Sequence, residues 1–154
     1  MVDIVNRETR SRMMSGIRGK DTSPELSVRR FLHARGYRFR LHRKDFPGTP
    51  DLVLAKYKVA IFVHGCFWHQ HQGCAYAATP ATRPDFWASK LAGNAERDSR
   101  HIEALIRLGW RVLIIWECGL RHRGNELCEI EAFFEAPDTV AEWPQRPPKA
   151  RSPK

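Results

Sequence analysis

The sequence has no run of about eighteen apolar residues, so nothing in it reads as a helix that crosses a bilayer. The N-terminal stretch MVDIVNRETRSRMMSG lacks the apolar core of a secretion signal, and the expected location is the cytoplasm. Cysteine is sparse: Cys66, Cys74, Cys118 and Cys128. In that compartment structural disulfides are disfavoured, and cysteines close to histidines read as metal ligands. Acid is short as well, with 17 Asp and Glu against 26 Lys and Arg and a net charge of +9. The imbalance is local, because residues 7–44 hold twelve Lys or Arg against Glu8, Asp21 and Glu25. Such a stretch is either a solvated basic face or a surface for a polyanion, of which nucleic acid is the usual one.

What is present is an ordinary globular composition, 42% hydrophobic over 154 residues, enough for one domain with a core. Residues 1–22 are polar and basic and read as an arm. Ser23-Pro24-Glu25 reads as a helix start with Ser23 as the cap, and Leu26, Phe31 and Leu32 share a face. Tyr37–Leu41 alternates apolar and basic as a half-buried strand does. Phe46-Pro-Gly-Thr-Pro50 is turn chemistry, and 51–54 and 59–63 are short strands. Residues 65–82 form an irregular insertion. A helix is expected from about Pro84 to Leu108, with a possible break at Gly93-Asn94. Trp110–Trp116 suits a sheet interior. Asn125 is expected to cap a last helix in which Cys128 is a core position. From Pro137 the chain is polar and proline-rich, and disorder is expected. The order of elements implies an α/β fold, a three-layer sandwich around a mixed sheet. The expected organisation is an arm over 1–22, a domain over 23–136 and a basic tail over 137–154.

Two clusters carry chemistry. Cys66, His71 and Cys74 fall close together and Cys118 follows the last expected strand, a ligand set that suits tetrahedral zinc. His64 and His69 compete with His71 for that role, and buried cysteines beside unrelated histidines are the alternative. Asp51 opens a strand, where a carboxylate holds either a turn hydrogen bond or a divalent cation against a phosphate. His64 and His69 nearby supply groups that titrate near neutrality. Phe67, Trp68 and Trp87 either pack beneath the insertion or wedge between base pairs.

Several blocks together closely resemble the very-short-patch mismatch repair endonucleases. They are Phe46-Pro-Gly-Thr-Pro-Asp51, Ile61-Phe-Val-His-Gly-Cys-Phe-Trp-His69, Pro80-Ala-Thr-Arg83 and Phe86-Trp87. Asn94, Glu96-Arg-Asp98 and Gly109-Trp-Arg-Val-Leu-Ile-Ile-Trp-Glu-Cys118 complete the set, and the likeness covers about residues 8–120. The resemblance implies a fold like that of type II restriction endonucleases, with a zinc-stabilised insertion. It implies a Mg2+-dependent nick 5′ of the thymine in a T:G mismatch, the first step in repairing deaminated 5-methylcytosine. By resemblance Asp51 and the Val63 backbone carbonyl bind Mg2+. His64 and His69 are catalytic, Asp98 supports His69, and Glu25 is an acid near the site. Cys66, His71, Cys74 and Cys118 are the zinc ligands. Phe67, Trp68 and Trp87 enter the DNA from the major groove, and the arm, with Met14, Arg18 and Lys20, reaches it from the other side. The expected protein is a monomer that acts on nucleoid DNA, with other repair proteins as possible partners.

Two departures stand out. Gln72-Gly73 makes the gap before Cys74 one residue longer than the family pattern, and glycine there can absorb it. Val63-His64-Gly65 stands where restriction nucleases often carry a second acid and a lysine. The rival readings are a restriction-like nuclease with another target, and a non-catalytic zinc-bearing DNA-binding module.

Overall fold

The computed structural model describes residues 22–148. Met14, Arg18 and Lys20 lie outside the described residues. Helix α1, Ser23–Ala34, begins one residue earlier than its cap signal suggests. Thr22 is the N-cap, and its side chain accepts from the Glu25 amide. The buried residues of α1 are Glu25, Val28 and Leu32, one helical face. Leu26 and Phe31 lie only partly buried beside it.

Five strands form one sheet in the order β1-β2-β3-β4-β5. They are β1, Arg40–Leu41; β2, Leu52–Leu54; β3, Val59–His64; β4, Arg111–Trp116; and β5, Val140–Trp143. The β1–β2 and β2–β3 pairs are antiparallel, and β3–β4 and β4–β5 are parallel. The mixed sheet expected from the order of elements is present.

The central strands β3 and β4 are buried on both faces, which explains their nearly unbroken apolar runs. Val59, Ile61, Leu113 and Ile115 point to one face, where Val28 and Leu32 of α1 pack with Leu127, Ile130, Phe133 and Phe134. Ala60, Phe62, Val112 and Ile114 point to the other, covered by Ile102 and Leu105 of helix α2, Pro84–Arg107. That alternation is the two-residue period of a strand. Helices therefore lie on both sides of the sheet. The crossover between parallel β3 and β4 carries both the insertion and α2.

Four expectations are corrected. First, β1 is only two residues long, because Tyr37 and Phe39 pack against the core from a loop. Second, α2 runs through Gly93-Asn94 without a break, and nothing lies within 4 Å of a Cβ built at Gly93. Third, the chain after Trp116 turns at once into helix α3, Glu117–Arg123. A 3-10 helix, Gly124–Ile130, and the short α4, Glu131–Glu135, replace the single helix expected from Asn125. In that 3-10 segment Leu127 and Ile130, three apart, take the buried positions, and Cys128 is exposed.

Fourth, the chain is not disordered from Pro137: Val140–Trp143 forms β5 against β4. Trp143 is buried in the core, and a Cβ at Gly119 of α3 would fall 2.8 Å from its ring and 2.5 Å from Pro144. Residue 119 is glycine because Trp143 and Pro144 occupy the space where a side chain would go.

Candidate active site and metal cluster

The Phe46–Pro50 turn aims Asp51 into a cleft of about 1010 Å3. Gly48 has φ +74°, and a Cβ there would come within 2.8 Å of the His101 Cβ on α2. Only glycine lets this turn lie against the helix with that backbone. Asp51 stands just before β2, and its Oδ2 accepts a 2.7 Å hydrogen bond from the Val63 amide of β3. Glu25 reaches the same place from α1, and His42 from the residue after β1. One donor atom from each of Glu25, His42 and Asp51 lies within 4.8 Å of the others. His42 Nε2 is 2.9 Å from Glu25 Oε2, and Arg29 on the next turn of α1 pairs with that same oxygen. Burial above all, and then the facing Glu25 carboxyl, push the Asp51 carboxyl up to about 8, while the Val63 amide opposes the rise.

His64 ends β3, His69 sits in the turn that follows, and Asp98 projects from α2. The two imidazoles stack with centroids 3.7 Å apart and planes 6° from parallel. His69 Nδ1 is 2.6 Å from Asp98 Oδ2, which fixes the ring and leaves its other nitrogen for chemistry. His64 is buried, and its Nδ1 has no hydrogen-bond partner among the described residues. Burial, and then the neighbouring His69, hold its pKa down to about 3, against the opposing charge of Asp98, so the ring is neutral at physiological pH. Asp51, Glu25, His42, His64, His69 and Asp98 all line one cleft.

Behind the histidines, Cys66, His71, Cys74 and Cys118 converge, with one donor atom from each within 4.8 Å of the rest. Cys118 Sγ is 3.4 Å from His71 Nδ1, which identifies the His71 nitrogen that faces the sulfurs. Gly73 takes the left-handed conformation at φ +70° in the turn before Cys74, and the Cys74 sulfur reaches the cluster. Hydrogen bonding by Cys118 is the main influence that holds the Cys66 thiol down to about 5, and the same pairing pushes Cys118 up. Thiols this close shed protons in favour of shared ones, the state a thiophilic cation replaces. The donor set and its spacing therefore fit a tetrahedral metal site.

The match to a family model, DNA mismatch endonuclease Vsr, covers residues 2–75. The chain is 44% identical over 143 residues to the DNA mismatch endonuclease Vsr of Escherichia coli, spanning 93% of this chain and 88% of that protein. The chain belongs to the Vsr endonuclease family. It is also 48% identical over 124 residues to the type II nicking enzyme V.XorIIP of Xanthomonas oryzae, spanning 80% of this chain and 90% of that one. The type II nicking enzyme V.NmeAIP of Neisseria meningitidis is 42% identical over 123 residues, 80% of this chain and 87% of that one. The chain is thus a nuclease with the mixed α/β, restriction-endonuclease-like fold of the Vsr enzymes.

Trp68 lines the cleft, and Phe67 and Trp87 gather against it. Phe67, Trp68 and Trp87 meet edge to face, with centroids 5.0, 5.4 and 6.0 Å apart. Asn94 of α2 donates a 3.1 Å bond to the Trp68 carbonyl and ties this loop to the helix. Phe86 extends the group and is exposed.

Sequence reasoning missed three participants. His42 looked like one more polar residue in a basic stretch, and nothing in its spacing marks it as facing Glu25. Trp116, read as a core strand residue, stacks on His71 at 4.1 Å and 8°. Asn94, read as a helix breaker, instead anchors the Trp68 loop. The Glu25 expectation from the family resemblance does place that residue in the cleft.

Proposed function

We propose that this protein nicks duplex DNA 5′ of the thymine in a T:G mismatch, the initiating cut in short-patch repair of deaminated 5-methylcytosine. The observation that carries the reading is the meeting, in one cleft, of a carboxylate pair, a His–His–Asp group and a bordering aromatic cluster. A mismatch nuclease needs all three: a cation site at the phosphate, proton-transfer groups and a probe of base stacking.

Asp51 and the Val63 backbone carbonyl would hold Mg2+. When bound, the cation polarises the scissile phosphate and stabilises the charge that builds on it. His69, oriented by Asp98, takes the proton from the attacking water. His64 is neutral in the free protein; a phosphate placed beside it favours its protonated form, which donates to the leaving oxygen. Phe67, Trp68 and Trp87 enter the stack where a mismatch makes opening cheapest. The basic arm, with Met14, Arg18 and Lys20, grips the opposite side, so binding weakens steeply with salt. Cys66, His71, Cys74 and Cys118 would hold a structural Zn2+, which would fix the loop carrying Phe67, Trp68 and His69. The protein works as a monomer in the cytoplasm on nucleoid DNA, with other mismatch-repair proteins as partners.

The deciding experiment is a nicking assay with Mg2+ on T:G duplexes with randomised flanks, beside fully paired duplexes of the same sequences. Nicks confined to the thymine strand of mismatched duplexes are expected. Several relatives are type II nicking enzymes, which favours a second reading, a nicking enzyme with another DNA target, and equal cutting of T:A duplexes selects it. Asp98→Asn leaves the His69 ring without its carboxylate partner; a loss in kcat of roughly 10–1000-fold with little change in KM is expected. Unchanged kcat removes Asp98 from the mechanism.

A further inference from the structure

We propose that His42 is a direct ligand of the divalent cation held by Asp51 beside Glu25, giving the site a nitrogen donor that shifts its preference from Mg2+ toward first-row transition cations. The inference rests on the reading of Asp51 as the cation-binding carboxylate.

Three separate elements deliver Glu25, His42 and Asp51 to one point, with a donor atom of each within 4.8 Å of the others. His42 Nε2 and Glu25 Oε2 are 2.9 Å apart. Adjacent donors around an octahedral ion with bonds near 2.1 Å are separated by about 3 Å, so this pair already has ligand spacing.

The backbone is committed to the arrangement. His42 has φ +45°, a conformation uncommon outside glycine, and its amide donates a 3.2 Å bond to the Asp51 carbonyl. The strained residue and the metal-binding residue are therefore tied to each other directly. Strain of this kind is kept where a side chain has to be aimed.

The polar contacts conflict when only protein atoms are considered. Arg29 Nη2 is 3.3 Å from His42 Nε2, and Glu25 Oε2 is 2.9 Å from the same nitrogen. A guanidinium only donates and a carboxylate only accepts, and one ring nitrogen cannot answer both. A cation that takes the Nε2 lone pair ends the conflict and leaves Arg29 with Glu25. The buried Glu25 and half-buried Asp51 bring two carboxyls to this nitrogen, a set of oxygens that suits a cation.

Mg2+ is a hard ion that takes oxygen ligands, whereas imidazole suits transition cations. Mn2+ is therefore the probe. Full-length, zinc-loaded protein would be titrated with Mn2+ by electron paramagnetic resonance. Pulsed measurements would be made on protein with natural-abundance or 15N-labelled histidine. Nitrogen coupling that changes isotope with the histidine label is expected in wild type and absent in His42→Asn. Asparagine tolerates the left-handed backbone, and a melt in chelator checks that the variant is folded. Mn2+ affinity should fall at least about tenfold in His42→Asn, with Mg2+ affinity changed less than about threefold. Absence of histidine coupling in wild type, its persistence in His42→Asn, or equal losses for both ions would overturn the proposal. Asp51→Asn separates the two levels: it should abolish Mn2+ binding here, and binding that survives it overturns the underlying site as well.

Discussion

Asp51 carries a cost that its place in the cleft makes unavoidable. Its carboxyl is held up to about 8 by burial and by Glu25. In the unfolded chain it ionises near 4. Without a cation, the unfolded state therefore releases this proton first as pH rises, and the stability present below pH 4 is lost on approaching 8. Asp51→Asn cannot ionise and escapes the loss. In chelator, the variant should melt several degrees above wild type at pH 7.5, with the gap closing toward pH 4, as read by calorimetry at a series of pH values. Its nicking should fall by at least about 10^2-fold, because the phosphate loses its charge-stabilising partner. A variant no more stable than wild type at pH 7.5 would show that the carboxyl is ionised without penalty.

At the scale of elements, the insertion from Gly65 to Thr82 contributes little to a hydrophobic core beyond Cys66, Cys74 and the partly buried Ala77, yet it carries His69, Phe67 and Trp68. Its only helical piece is the 3-10 turn Ala75–Ala77. What fixes it is a set of point attachments: the sulfur cluster, the Asn94 bond to Trp68, the His69–Asp98 pair and the Trp116 ring against His71. Removing one zinc ligand should then loosen the loop and leave the sheet standing. Cys74→Ser should carry well under one zinc per chain by elemental analysis, where wild type carries one. Amide exchange should rise in residues 65–82 and stay unchanged in β3 and β4. A full zinc complement in Cys74→Ser would mean that the additional residue before Cys74 has taken it out of the ligand set. The strands were legible because both faces of β3 and β4 are buried and their apolar runs are continuous. The helices after Trp116 were not, since their seven- and five-residue lengths give too little periodicity to read.

For the whole molecule, the sheet is closed at one edge by β5, which composition alone assigned to a tail. Its buried anchor is Trp143, set against Gly119 and the core beneath α1. Trp143→Ala should cost roughly 3–5 kcal/mol in denaturant unfolding. Its effect on nicking at temperatures where the variant stays folded should be small, because Trp143 lies outside the cleft. A loss below about 1 kcal/mol would return β5 to the status of a dispensable tail.

The sequence by itself determined which residue types are available for chemistry and which strands carry the core. Cysteine and histidine types are scarce enough, and strand apolarity continuous enough, to be read locally. The tertiary structure alone decided what those residues face. The conflict at His42, the stack of His64 on His69 and the strand at Trp143 each join segments distant in sequence or remade by a turn. Their cause is the sheet, which brings the ends of β1, β2 and β3 together at one cleft and leaves one edge of β4 to be paired. Neither local propensity nor spacing encodes which neighbour a side chain will meet across such a distance.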